Sequence, residues 1–110
     1  DAPPPWDTGA AESHLVAWWQ SLEPDVRPRR VLELGAGSAY STEFMARNGA
    51  SCAVAVDISP TVVDRVQKRL GDGVPNAHVL CCDLFKLADS RGHWTGPLAE
   101  AGYDLIFDCQ

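Results

Sequence analysis

Three carboxylates stand at the ends of three short apolar runs. Glu33 falls in Val31-Leu32-Glu33-Leu34, Asp57 closes Cys52-Ala53-Val54-Ala55-Val56, and Asp83 follows Ala77-His78-Val79-Leu80-Cys81-Cys82. An ionised carboxylate only accepts hydrogen bonds, at about four lone-pair sites. Each bond to a charged acceptor contributes roughly 1.5–3 kcal/mol. Such groups suit a ligand that offers hydroxyl or amino hydrogens. Two glycines, Gly35 and Gly37, follow Glu33 directly, and a helix pattern begins at Tyr40. Glycine allows positive φ and lets a ligand approach without a Cβ in the way. The first turn of the helix then offers backbone N–H groups to that ligand.

A strand feeding a glycine turn and a helix start is how open α/β sheets hold nucleoside-containing cofactors. In such sheets the ligand lies outside the carboxyl ends of the strands. Asp57, twenty residues beyond Gly37, is then placed to accept from two ribose hydroxyls. Its alternative use is to cap the helix that starts at Pro60, a position Ser59 fills better. Asp83 would lie beside the adenine edge and accept from the exocyclic amino group, with Ile58 and Leu84 as apolar walls for the purine. A turn aspartate is the alternative there. Asp108 ends a fourth run, where it either lines the pocket or caps a following helix.

Spacing separates the nucleoside cofactors. A dinucleotide fingerprint, G-x-G-x-x-G, would need glycine at position 40, where the chain has Tyr40. A tyrosine there crowds the pyrophosphate, which disfavours a nicotinamide oxidoreductase. The segment instead resembles motif I of the class I S-adenosylmethionine-dependent methyltransferases, hydrophobic-hydrophobic-(Asp/Glu)-x-Gly-x-Gly-x-Gly. Glu33, Gly35 and Gly37 match it, and Ala39 replaces the last glycine.

The elements that must position these residues read in order. Glu12 to Leu22 is a helix with Leu15, Val16, Trp19 and Leu22 as its apolar stripe, ended by Pro24. Strands are expected at Arg30–Leu34, Cys52–Asp57, Ala77–Cys81 and Tyr103–Asp108. Helices are expected at Tyr40–Asn48, stopped by Gly49, and from Ser59-Pro60 to Gly71. The continuous apolar run in Cys52–Asp57 predicts a strand covered on both faces. Lys86 to Ala101 is looser, with a short helix near Leu98 to Ala101. Alternating strands and helices imply a Rossmann-like open parallel α/β sheet with flanking helices.

At 110 residues the chain holds one small domain, and 45% hydrophobic residues are enough for a core. A net charge of −6 without a basic cluster argues against nucleic acid. Arg27, Arg29 and Arg30 read as a solvated flank. No apolar run reaches the ~20 residues of a membrane span. The four cysteines (Cys52, Cys81, Cys82, Cys109) form no C-x-x-C pair, and adjacent Cys81 and Cys82 face opposite ways on a strand. Buried, reduced thiols and a cytoplasmic setting follow. No metal site and no nucleophile–base pair is visible, and His14, His78 and His93 read as surface or packing residues. The start at Asp1 and the absence of a signal pattern read as a piece of a longer protein.

The N-terminus adds to the resemblance. Pro5-Trp6-Asp7-Thr8-Gly9, the helix with His14-Leu15-Val16, and Tyr103-Asp104-Leu105-Ile106-Phe107-Asp108 together look like the thiopurine/thiol S-methyltransferase-like branch. Ala10 and Ala11 stand where that branch often carries Arg-Pro. The resemblance implies S-adenosylmethionine as cofactor, with Trp6, Glu33, Gly35, Ala36, Gly37, Asp57, Ile58, Asp83, Leu84 and Asp108 at its site. Trp6 would fold over the cofactor as a lid, or else pack the arm onto the sheet. Residues 1–28 would be the arm and lid helix, and residues 29–110 a partial domain with strand order 3-2-1-4 out of the family's 3-2-1-4-5-7-6. The acceptor implied is a small molecule, reached through a thiol or other sulfur. Alternatives are a protein (lysine) methyltransferase and a non-catalytic binding module. With the acceptor half absent, the piece is expected not to turn over alone. Its fourth strand would be an edge that pairs with the missing half or self-associates.

Overall fold

β-Branched and small apolar residues build the centre of the molecule. Leu32, Val54 and Val56 point to one side of a sheet, and Val31, Ala53 and Ala55 to the other, all nearly or fully buried. Burial on both sides is what an unbroken apolar run demands of a strand. The computed structural model describes residues 9–83 and 102–108. Within them β1 (Arg30–Leu34), β2 (Cys52–Asp57), β3 (Ala77–Cys81) and β4 (Leu105–Asp108) form one parallel sheet in the order β3-β2-β1-β4. The order and the Rossmann-like architecture are those expected from the sequence.

Among the described residues three α-helices accompany the sheet: α1 (Ser13–Ser21), α2 (Tyr40–Arg47) and α3 (Pro60–Leu70). Met45 and Ala46 of α2 and Val63, Val66 and Leu70 of α3 join Val31, Ala53, Ala55 and Val79 in one core cluster. The helix ends follow local chemistry. Ser59 caps α3 by accepting from the Val62 N–H, Pro60 takes the first turn, and Gly71 stops the helix at φ 50°. α1 starts on Glu12, whose carboxylate accepts from the N–H groups of His14 and Leu15 at 3.1 and 2.8 Å. Trp19 fastens α1 to the core. It is fully buried, and its indole N–H donates to the Asn48 carbonyl at 2.8 Å.

Several expectations need correcting. Tyr103 and Asp104 precede β4 and are not part of it. The Asp104 carboxylate accepts from the N–H groups of both Arg29 and Arg30 at 3.1 Å, so the chain bends there and pairing starts at Val31 with Leu105. Arg27 and Arg30 are staples, whereas Arg29 is exposed and bonds through its backbone. Arg27 donates to the Trp19 and Asn48 carbonyls, and Arg30 donates to the Gly102 carbonyl. The described thiols are free but not buried, since Cys81 is exposed and Cys52 and Cys82 half-buried. They sit at strand ends, where neighbouring elements no longer cover them. Burial and the nearby Asp83 charge push the Cys82 thiol above its ordinary range. The segment Lys86–Ala101, Cys109 and His93 lie outside the described residues. No described helix is long and apolar enough to cross a membrane.

The Glu12 cap carries a pH signature. The two backbone N–H groups hold its carboxyl below its ordinary range. A depressed folded value means that the cap's contribution is present above the unfolded value and lost as pH falls through the folded one. Urea unfolding should therefore find Glu12→Gln less stable than wild type at neutral pH, with the gap closing as pH falls through the carboxylate range. A gap independent of pH would show that the charge on Glu12 is irrelevant to the cap.

Candidate functional site

The bend after β1 is built from left-handed backbone. Gly35, Gly37 and Ala39 take φ values of 60°, 56° and 57°. Ala39 thus adopts the conformation that glycine adopts freely, at a cost for an L-residue of roughly 1–2 kcal/mol. It persists because its surroundings hold it. It is 2% exposed within the core cluster, its N–H donates to the Ala36 carbonyl, and its own carbonyl accepts the Glu43 N–H, both at 3.0 Å. It occupies the N-cap of α2 with no side chain to cap the helix. The first N–H groups of α2 therefore have no capping side chain at Ala39.

β2 carries the bend. The Ala36 N–H donates to the Val56 carbonyl at 3.0 Å, and the Gly37 N–H donates to Asp57 Oδ2 at 3.0 Å. The other oxygen, Asp57 Oδ1, accepts the Ser59 N–H at 3.0 Å. Asp57 therefore ties the glycine bend and the start of α3 to the end of its own strand. A carboxylate has about four acceptor sites, and these two bonds use two of them. Sequence reasoning weighed Asp57 as ligand group against helix cap. In the structure Ser59 caps, and Asp57 braces both turns with acceptor capacity in reserve.

Glu33 shares a sheet face with Asp57, because Glu33 pairs with Ala55, two residues before Asp57. It is 2% exposed and accepts from the Thr42 hydroxyl at 2.7 Å. Beyond β3 the Cys82 N–H still donates to the Asp57 carbonyl at 2.9 Å, which brings Asp83 next along the same rim. Ile58 is 63% exposed there, and the Cys81 thiol donates to its carbonyl. Asp108 pairs in register with Leu34, so it belongs to the opposite sheet face from Glu33 and is exposed. Trp6 and Leu84 lie outside the described residues.

Sequence reasoning passed over the first turn of α2, where four side chains in succession reach separate parts of the fold. Tyr40 lies under the Arg69 guanidinium, 4.1 Å from ring centroid to Cζ. Ser41 accepts the Glu12 N–H at 3.0 Å, Thr42 reaches Glu33, and Glu43 pairs with Arg69 and Arg47 at 3.1 and 3.0 Å. Arg69 is thus held between α3 and α2. The one available signal was parity. Glu33 lies two residues from Val31 and so shares its sheet face, the one on which α2 packs. No group of three or more potential metal ligands occurs among the described residues.

Residues 31–108 match the methyltransferase domain family, and the chain belongs to that family. A malonyl-[acyl-carrier protein] O-methyltransferase of Halorhodospira halophila is 34% identical over 90 residues, which cover 80% of this chain and 27% of that protein. A structure that describes the conversion of a disulfide bond into a thioacetal group during echinomycin biosynthesis superposes with a TM-score of 0.66 at 25% identity. The match covers 78% of this chain and 34% of the other. A TehB-like methyltransferase of Corynebacterium glutamicum shares the fold, with a TM-score of 0.58, 18% identity, and coverage of 88% and 42%. The chain spans about a quarter to under half the length of these relatives.

The bend makes a test of its own. Ala39→Gly trades the left-handed cost for about one buried methyl of burial, so its unfolding free energy should stay within about 1 kcal/mol of wild type. Ala39→Val places a β-branched residue at positive φ in a packed site and should lose more than about 2 kcal/mol in a urea titration. Equal stability of the valine variant would contradict the left-handed backbone.

Proposed function

We propose that the protein is an S-adenosylmethionine-dependent methyltransferase whose described residues hold the cofactor. The methyl acceptor we propose is a small molecule, attacked through a thiol or other sulfur. The observation that carries the cofactor reading is Asp57, which braces the glycine bend and keeps two acceptor sites beyond its backbone bonds. Those sites match the two hydroxyls of a ribose. Asp83, one strand further out, takes the adenine amino group, and Leu84 and the exposed Ile58 flank the ring. Gly35, Ala36 and Gly37 let the ligand approach the backbone, and Glu33 lies beneath the amino-acid end. Trp6 closes the arm over it.

The cofactor, when bound, supplies a methyl group already activated on a sulfonium. The protein's part is to orient it, desolvate it and exclude water. A sulfur acceptor suits these residues because a thiolate needs no general base. The two described histidines offer none at the rim: His14 is exposed and paired with Glu12, and His78 lies exposed on β3. The thioacetal-forming relative, at 25% identity, favours sulfur. A second reading, transfer to a carboxyl oxygen, is favoured by the O-methyltransferase relative at 34% identity. Free thiols at Cys52, Cys81 and Cys82 suit a reducing, cytoplasmic compartment.

Because the chain spans only part of its relatives, we assign the acceptor pocket to residues outside it. The apolar edge at β4, where Ile106 is 44% exposed, pairs with that remainder or with a second copy. Calorimetric titration with S-adenosylhomocysteine should give saturable binding to the 110-residue chain. Asp57→Ala should weaken it by about tenfold or more. Steady methyl transfer should not occur without the remainder. Preference for NAD, or no saturable binding by folded protein, would defeat the reading. With the remainder present, matched thiol and carboxylate acceptors distinguish the sulfur from the oxygen reading.

A further inference from the structure

Thr42 is 1% exposed and lies in the first turn of α2, directly behind the glycine bend. A helical threonine commonly turns its hydroxyl back to the carbonyl one turn earlier. Here the hydroxyl reaches out of the helix to Glu33 Oε1 on β1, at 2.7 Å. A hydroxyl has a single hydrogen to give, so the helix forgoes that bond for the carboxylate. A buried carboxylate is costly without donors, and Thr42 supplies one from a rigid element. The sheet order β3-β2-β1-β4 sets what lies over each strand. With the adenosine over β3 and β2, the amino-acid end falls over β1, where Glu33 is.

We propose that Thr42 is a positioning residue: its hydroxyl holds the Glu33 carboxylate in the orientation that receives the cationic amino-acid end of the cofactor. The inference rests on the cofactor reading above and adds a prediction that reading does not make. Thr42 governs the affinity for one end of the ligand only. The adenosine end answers to Asp57 and is indifferent to Thr42. Thr42 is 1% exposed, so its methyl group is buried as well, and hydroxyl and methyl have separable effects.

The test compares two ligands by calorimetry on the purified protein. S-Adenosylhomocysteine carries the amino-acid end, and methylthioadenosine keeps the adenosine without it. Thr42→Val should weaken S-adenosylhomocysteine by about tenfold while changing methylthioadenosine by less than about twofold. Thr42→Ser keeps the hydroxyl and should restore the discrimination. If the valine variant does not fold, Thr42→Ala against Thr42→Ser makes the same comparison. Equal losses for both ligands, or no loss for either, overturn the inference while the cofactor reading stands. Folded wild-type protein that fails to bind S-adenosylhomocysteine overturns both.

Discussion

The site depends on one carboxylate. Asp57 receives the Gly37 N–H on one oxygen and the Ser59 N–H on the other. Through these two bonds the end of β2 determines where the glycine bend sits and where α3 begins. A bend with three consecutive alternate residues in left-handed backbone would otherwise have many conformations open to it, since two of the three are glycine. Charge-assisted bonds from backbone N–H groups are among the stronger ones a loop can use. Asp57 can also serve a ligand because a carboxylate has more acceptor sites than the two turns consume.

The second constraint is the attachment of α2. Its first turn is tied to α1 through Ser41, to β1 through Thr42, and to α3 through Tyr40, Glu43 and Arg69. Its far end is tied to α1 by Trp19 and by Arg27, which share the Asn48 carbonyl. A helix held at both ends gives the bend a fixed exit as well as a fixed floor. That arrangement also tolerates Ala39 in place of glycine. The local cost is borne by a helix that packing and hydrogen bonds hold in place on three sides.

Membership of the methyltransferase domain family follows from the match over residues 31–108, and the parallel β3-β2-β1-β4 sheet agrees with it. The acceptor is a separate matter. The described residues end at β4, and the relatives extend far beyond the part they share with this chain. In an open sheet a ligand lies outside the carboxyl ends of the strands, and what a site acts on is set by its own residues and not by the fold. Relatives that act on chemically different groups can therefore share this half of the fold.

Local signals were enough for much of this. Strand limits at β1, β2 and β3 and both ends of α3 follow from apolar runs, a Ser-Pro start and a glycine stop, each readable within a few residues. The glycine spacing likewise marked the left-handed bend after β1, because glycine adopts that backbone freely. Tertiary structure alone decided which carboxylate does what. Glu33 became a buried group answered by Thr42, Asp57 a brace for two turns, and Asp108 a residue of the other sheet face. It also turned Arg27, Arg30 and Arg69 into staples and began β4 two residues late, at the Asp104 bend. The reason is physical. Helix and strand periods are set by neighbours along the chain, but a hydrogen bond between residues far apart in sequence exists only once packing has brought its donor and acceptor within 3 Å or so.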